Sequence, residues 1–313
     1  MFGNRPRGPR GFAPSLATLA LALCFVAGNS RAAMATLLSE WNLIVRNNVT
    51  TSSEVDGSAR IGGNLTGTSN YSIHQVTASN GDGLAVGGNI TAGNIQINHG
   101  GNLRLGGSNS GTVNLNGGGV QIADAGVAAA VAADFVYLSQ LSSALGAMTP
   151  NGTVDGGGNM NAVPVTIGSE QVAVYNLTAA GISGLGQLNL NLGTATSVII
   201  NVAANAGLVD FQAPPNLIGG FNQPNSSKII WNLSNATLVT VNNSFNGALL
   251  APGADLKVLG GGMNGTVAVQ SISQQNAEIR DFTYHGYLPP VPEPSSFVLA
   301  AMGLAGIVMR VRR

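Results

Sequence analysis

Ile61-Gly62-Gly63-Asn64-Leu65-Thr66 recurs 25 residues later as Val86-Gly87-Gly88-Asn89-Ile90-Thr91, and this repeat decides the fold class. Each copy sets a Gly-Gly-Asn between two aliphatic residues. That pattern predicts two short strands meeting at a corner, because Gly reaches φ > 0 without steric cost and Asn tolerates left-handed turns. A partial copy, Gly100-Gly101-Asn102-Leu103, follows. A second motif, Phe245-Asn246-Gly247-Ala248-Leu249, matches Met263-Asn264-Gly265-Thr266-Val267 at a spacing of 18, with Val55-Asp56-Gly57-Ser58-Ala59 as an early cousin. Repeats of roughly 18–25 residues, each with two or three short strands, predict a mainly β fold of β-solenoid type. Stacked repeats would let the Asn side chains form ladders along the axis.

The flanking segments agree. Ile95-Gln96-Ile97, Val113-Asn114-Leu115-Asn116 and Leu188-Asn189-Leu190-Asn191-Leu192 alternate, as strands with one buried face do. Residues 197–202 and 228–233 are more continuously apolar. A β-sandwich is the rival architecture, although it would favour longer, aromatic-bearing strands. One segment breaks the pattern. Val127, Val131, Phe135, Leu138, Leu141 and Leu145 step by three or four, the stripe of an amphipathic helix over about 125–147. Asp124 is its expected N-cap. Asp134 and Gln140 argue against a membrane span, so the helix is expected to flank the β body.

Composition narrows the function. The 313 residues include 44 glycines and 33 asparagines, but charged residues are just 8% of the chain and aromatics 5%. The core must therefore be Val, Ile, Leu and Ala, and charge-rich helical bundles are excluded. Formal net charge is zero, yet seven basic residues crowd the two ends. Residues 36–290 hold six basic and twelve acidic side chains, which leaves no footprint for phosphate backbones and excludes nucleic acid as a partner.

Both ends read as addresses. Arg5, Arg7 and Arg10 precede an apolar run, Leu16 to Ala27, and Ala33-Met34-Ala35 offers small residues at Ala33 and Ala35 for signal cleavage. Residues 1–35 are thus expected to be a signal peptide. Leu23 before Cys24 is unlike a lipobox, and cleavage leaves a body without cysteine. At the other end, Pro292-Glu293-Pro294 precedes an apolar run, Phe297 to Val311, with a basic stop at Arg310, Arg312 and Arg313. Prolines break any helix from the body, the run is long enough for a short span, and the basic tail should stay inside. A retained membrane anchor is the alternative at each end.

This tripartite end over 289–313 resembles the PEP-CTERM sorting signal of Gram-negative bacteria. The resemblance implies an exosortase and the secretion machinery as partners, with transient anchoring in the inner membrane. The body over 36–288 resembles the choice-of-anchor A domain, an adhesive surface module joined to various C-terminal anchors. The resemblance rests on Trp41-Asn42-Leu43-Ile44-Val45, the Gly-Gly-Asn repeats, the Ala-rich helix, Lys228-Ile229-Ile230-Trp231-Asn232 and Gly247-Ala248-Leu249-Leu250-Ala251-Pro252. It implies no catalytic residues.

Catalytic chemistry has no signature in the chain. His74, His99 and His285 are widely spaced, and no metal-ligand pair, nucleophile elbow or P-loop is present, so no cofactor, metal or catalytic residue is predicted. Asn80-Gly81-Asp82-Gly83 is faintly like a calcium-binding turn, without repetition from copy to copy. The sequence therefore predicts an exported, non-enzymatic surface or matrix protein, associated with extracellular polysaccharide or biofilm. An exopolysaccharide-modifying enzyme on a β-helix would need clustered acids. An ice-binding-like module would favour Thr-x-Thr columns, and Thr194-Ala195-Thr196 is an isolated match.

Overall fold

The computed structural model describes residues 36–291, apart from residue 92 and residues 212–214. The signal residues Ala33 and Ala35, the Pro292-Glu293-Pro294 motif, the C-terminal helix and Arg310, Arg312 and Arg313 lie outside the described residues.

Short parallel strands carry the body. Leu43–Val45 pairs with Ala59–Ile61 on one side and with Val267–Gln274 on the other. Beyond Ala59–Ile61 the sheet continues through Asp82–Val86 and Asn102–Leu105 to Gln121–Ala123. Beyond Val267–Gln274 it runs through Ala248–Val258, Ile229–Asn232 and Ser197–Ala203 to Glu170–Thr178. All of these pairs are parallel. Val165–Ile167 closes the row in antiparallel fashion.

The same segments pair again further along the chain. Val49–Thr51 lies between Leu65–Gly67 and the second half of Val267–Gln274. Ser69–Tyr71, Asn94–Ile97 and Thr112–Leu115 form one parallel set, and Phe245–Asn246, Met263–Asn264 and Ile279–Arg280 another. Val55 bridges the two sets, pairing with both Tyr71 and Ile279. Aliphatic side chains from these rows meet in one interior cluster. Its few aromatics are concentrated: Trp231 stacks on Phe221 at 5.4 Å, meets Phe211 edge-on at 5.6 Å, and donates through Nε1 to Asn246 O.

The Gly-Gly-Asn copies occupy matching corners. Ile61 pairs with Val86 and Leu65 with Ile90, so the two triplets lie directly beside each other. The glycines have a different cause from the one expected. None of Gly62, Gly63, Gly87 and Gly88 has a left-handed φ. A Cβ on Gly62 would meet Arg46 O at 2.3 Å, and one on Gly87 would meet Gly62 O at 2.5 Å and Ala128 Cα at 2.8 Å. Successive corners approach too closely for any side chain. The third copy is also a different one: Gly106-Gly107-Ser108 takes this corner, where a Cβ on Gly106 would meet Gly87 O at 2.5 Å. Gly100-Gly101-Asn102 lies elsewhere, with Asn102 opposite Asp82.

The second motif pairs as its spacing suggests. Phe245 lies opposite Met263 and Asn246 opposite Asn264 in one sheet. Here the glycines do need φ > 0, at +114° for Gly247 and +150° for Gly265. Asn42 stitches the N-terminal strand to this row. Its buried amide donates to Gly265 O and Arg280 O and accepts from Gly57 N, so every hydrogen bond is made inside the protein.

The long helix, Val127–Gly146, buries all six residues of the expected stripe. It starts two residues late. Gly126 is the N-cap, while Asp124 accepts from Gly126 N in the turn before it. Among the described residues it is the one helix long and apolar enough to cross a membrane, yet it packs against the strands starting at 59, 82, 197, 229 and 248. Its stripe and Ile44, Ile199, Ile230 and Leu250 are buried outside the interior cluster, so they form a second layer between sheet and helix. This accounts for the continuously apolar reading of 197–202 and 228–233, whose strands are covered on both faces. Asn201 donates to Leu145 O, and Asn232 donates to Ser142 O and Asn201 Oδ1, satisfying carbonyls near the helix end.

Candidate ligand-facing surface

Where strands stack in parallel, outward side chains line up across strands rather than along them. Thr50 lies opposite both Ser273 and Thr66. Thr66 and Thr91 share a hydrogen bond at 2.8 Å between their hydroxyls, and Ser110 follows, its N–H donating to Ile90 O. This hydroxyl rank is exposed at Thr50, Thr66, Thr91 and Ser110. A search for Thr-x-Thr along the chain misses it, because its members are 16 to 25 residues apart.

Beside it runs a rank of asparagines. Asn48 Oδ1 accepts from Asn64 N, Asn64 Oδ1 from Asn89 N, and Asn89 Oδ1 from Ser108 N, at 2.8–2.9 Å. A backbone N–H can only donate, so each side-chain oxygen faces inward along the rank. Each NH2 group is then left without a protein acceptor among the described residues, on an exposed side chain. The glycine corner positions these donors, since Gly63 and Gly88 let one Asn sit directly over the last.

Around the turn, a further set of amides carries its own network. Asn114 Nδ2 donates to Asn94 Oδ1, Asn116 Nδ2 to Gln96 Oε1 and Asn98 Oδ1, and Asn70 Nδ2 to Glu54 Oε1. Interlocked amides are held at fixed positions before any ligand arrives. Such a surface offers hydrogen bonds to another polar surface with little ordering cost.

Apart from Glu54, the charged side chains considered next are engaged away from these ranks. Asp82 begins a strand, and its carboxylate accepts from Arg104 Nε at 2.6 Å and from Asn80 Nδ2. The carboxylate that a calcium turn at residues 80–83 would offer is thus taken by a guanidinium. Arg60 lies over the Trp41 ring and pairs with Asp134, whose carboxyl burial pushes up to about 6. Asp155 caps its own turn through Gly157 N and Asn159 N. His99 and His285 are exposed, while His74 lies beside Asp56 and Asp281, 207 residues apart from the latter. Sequence spacing could not have found that group.

The body matches a family model described as "Putative Ice-binding-like adhesive domain" over residues 35–281. The chain belongs to this ice-binding-like adhesive family. Its C-terminal residues 290–313 match the PEP-CTERM protein-sorting motif. Adhesive body and sorting motif together make it a protein exported to the cell surface. Among solved structures, the chain is similar to an ice-binding protein from the Antarctic ascomycete Antarctomyces psychrotrophicus, at 13% identity and TM-score 0.36, covering 80% of this chain and 97% of that one. An ice-binding protein from an Antarctic biological consortium shows 11% identity and TM-score 0.35 over 77% and 87% of the two chains. A domain of a Shewanella frigidimarina ice-binding protein shows 14% and 0.33 over 78% and 94%. No curated protein matches the chain. Mainly β structure with helices is what this ice-binding-like adhesive domain displays.

Proposed function

We propose that this protein is a non-enzymatic surface or matrix adhesin whose β-solenoid body, of the choice-of-anchor A kind, holds extracellular polysaccharide. The carrying observation is the rank of Asn48, Asn64 and Asn89, with fixed outward NH2 donors beside the hydroxyls of Thr50, Thr66 and Thr91. Sugars present hydroxyls that both donate and accept, and a nearly uncharged array of amides and hydroxyls complements them. Extended polymer would run along the ranks. Residues 1–35 direct export, and an exosortase of a Gram-negative cell acts near Pro292-Glu293-Pro294 after a stage anchored in the inner membrane by the C-terminal helix.

The test is retention of the purified exported protein on the organism's own exopolysaccharide. Asn64→Asp with Asn89→Asp keeps the inward oxygen acceptors and removes the outward donors. Retention should fall without a change in melting temperature. No retention of the wild type on any surface polymer sinks the adhesive reading, and release of reducing ends would favour a polysaccharide-modifying enzyme. The exposed hydroxyl rank favours a second reading, ice binding; growth-habit change in ice crystals, lost in Thr66→Tyr, would select it. Mass spectrometry of the same exported protein should give a start near Thr36 and an end near Pro294. An intact Arg313 terminus would reject sorting in favour of a simple anchor.

A further inference from the structure

Asp56, His74 and Asp281 come together beside Val55, where it bridges the two parallel sets. Val55 bridges Tyr71 and Ile279, Asp56 N donates to Ile279 O, and His74 N donates to Asp56 O. These backbone bonds hold three distant segments at one point. His74 Nδ1 then lies 3.5 Å from Asp56 Oδ2 and 3.4 Å from Asp281 Oδ1, and one ligand atom from each residue falls within 4.8 Å of the others.

These separations are longer than a good charge-assisted hydrogen bond, which is about 2.7–2.9 Å. They fit something else. Two ligands bound tetrahedrally at about 2.0–2.1 Å from a zinc ion stand about 3.4 Å apart. A second observation is burial, independent of that spacing. The Asp56 side chain is 5% exposed, yet its one ion-pair partner among the described residues is His74 Nδ1, at a long 3.5 Å. Burial, with Asp281 and Glu278 adding repulsion, pushes its carboxyl up to about 6, partly offset by His74 and Arg280. Arg280 itself is turned away, onto Glu278 and Asn264. A buried carboxylate paired only at 3.5 Å with an imidazole, and with a second carboxylate beside it, has room and charge for a bound cation.

We propose that Asp56, His74 and Asp281 bind a divalent transition-metal ion of the zinc type. One imidazole and two carboxylates suit such an ion better than calcium, which takes six to eight oxygens. Gln75 Nε2 donates to Asp281 Oδ2 at 2.9 Å and orients that ligand. The His74 side chain is 61% exposed, which leaves a path for entry and a fourth position for water or another ligand. The ion would clasp the segment after Val55 to the end of the last paired strand and to the loop after Tyr71. This site is separate from the amide and hydroxyl ranks, so it stands or falls independently of polysaccharide binding.

The experiment is calorimetric titration of the EDTA-treated full chain with zinc chloride. The expected result is one saturable equivalent and a higher melting temperature with the ion bound. His74→Ala and Asp56→Asn should each abolish that equivalent, Gln75→Ala should weaken it roughly tenfold, and His99→Ala should leave it intact. Cobalt(II) in place of zinc should give visible bands that disappear in His74→Ala, an exposed-site change that leaves the fold in place by circular dichroism. Absence of a saturable equivalent in the wild type overturns the proposal. So does an equivalent that persists in either His74→Ala or Asp56→Asn.

Discussion

Asn264 donates from its side-chain amide to Asn246 Oδ1 at 2.8 Å, and the two residues sit opposite each other in adjacent parallel strands, both buried. Asn264 Oδ1 in turn accepts from Gln223 and Arg280. Replacing Asn264 with Ala leaves these groups without their partner inside the protein. The expected loss is about 1–3 kcal/mol, read from the urea midpoint.

A glycine pair separates close approach from conformational freedom. Gly87→Ala drives a methyl into Gly62 O and the Ala128 backbone and should cost about 1–3 kcal/mol. Gly156 has open space around it and no left-handed φ, so Gly156→Ala should be neutral or stabilise by up to about 1 kcal/mol. Equal effects in thermal melts would contradict the corner packing described above.

Phe135 is the largest side chain of the helix stripe and is buried in the layer between helix and sheet. Phe135→Ala should cost about 3–5 kcal/mol through lost burial and the cavity left behind. Val136, exposed on the opposite side, should tolerate Ala with a change below about 0.5 kcal/mol.

Asp134 predicts a pH dependence. Its folded pKa of about 6 exceeds the ordinary 3.8, chiefly through burial, with Arg60 opposing. The folded state therefore binds the proton more tightly than the unfolded chain. Its contribution is fully present below pH 3.8 and is lost as pH rises through about 6. Asp56 acts in the same direction over the same window. In EDTA, the urea midpoint of the wild type should have a component that falls between about pH 4 and 6. Asp134→Asn should flatten that slope, leaving the Asp56 part; an unchanged slope would refute the assignment.

The helix stripe, from Val127 to Leu145, was legible because helical periodicity is local. The 18-residue motif was legible because its two copies are neighbours both in sequence and in the sheet. The Gly-Gly-Asn corner was found for the wrong reason: sequence shows glycine but does not tell a left-handed φ from a backbone pressed against its neighbour. Gly106-Gly107-Ser108 was missed because Ser108 stands where the other copies have Asn, its N–H and Oγ both donating to Asn89 Oδ1. The hydroxyl rank and the Asp56–His74–Asp281 group were invisible for one shared reason. Their members are assembled by pairing between distant segments, which leaves no fixed spacing to read.

Leu43–Val45, the first strand of the body, lies between Ala59–Ile61 and the late-arriving Val267–Gln274, and Asn42 is held by Gly265 and Arg280. The row therefore cannot be laid down in order from the N-terminus. One edge of the first strand waits for a partner more than two hundred residues behind it, and that loop must close before the two halves join. Completion is thus delayed until nearly the whole body has been made. A chain cut short before residue 267 would keep an open strand edge at its centre, marked for degradation or aggregation rather than display.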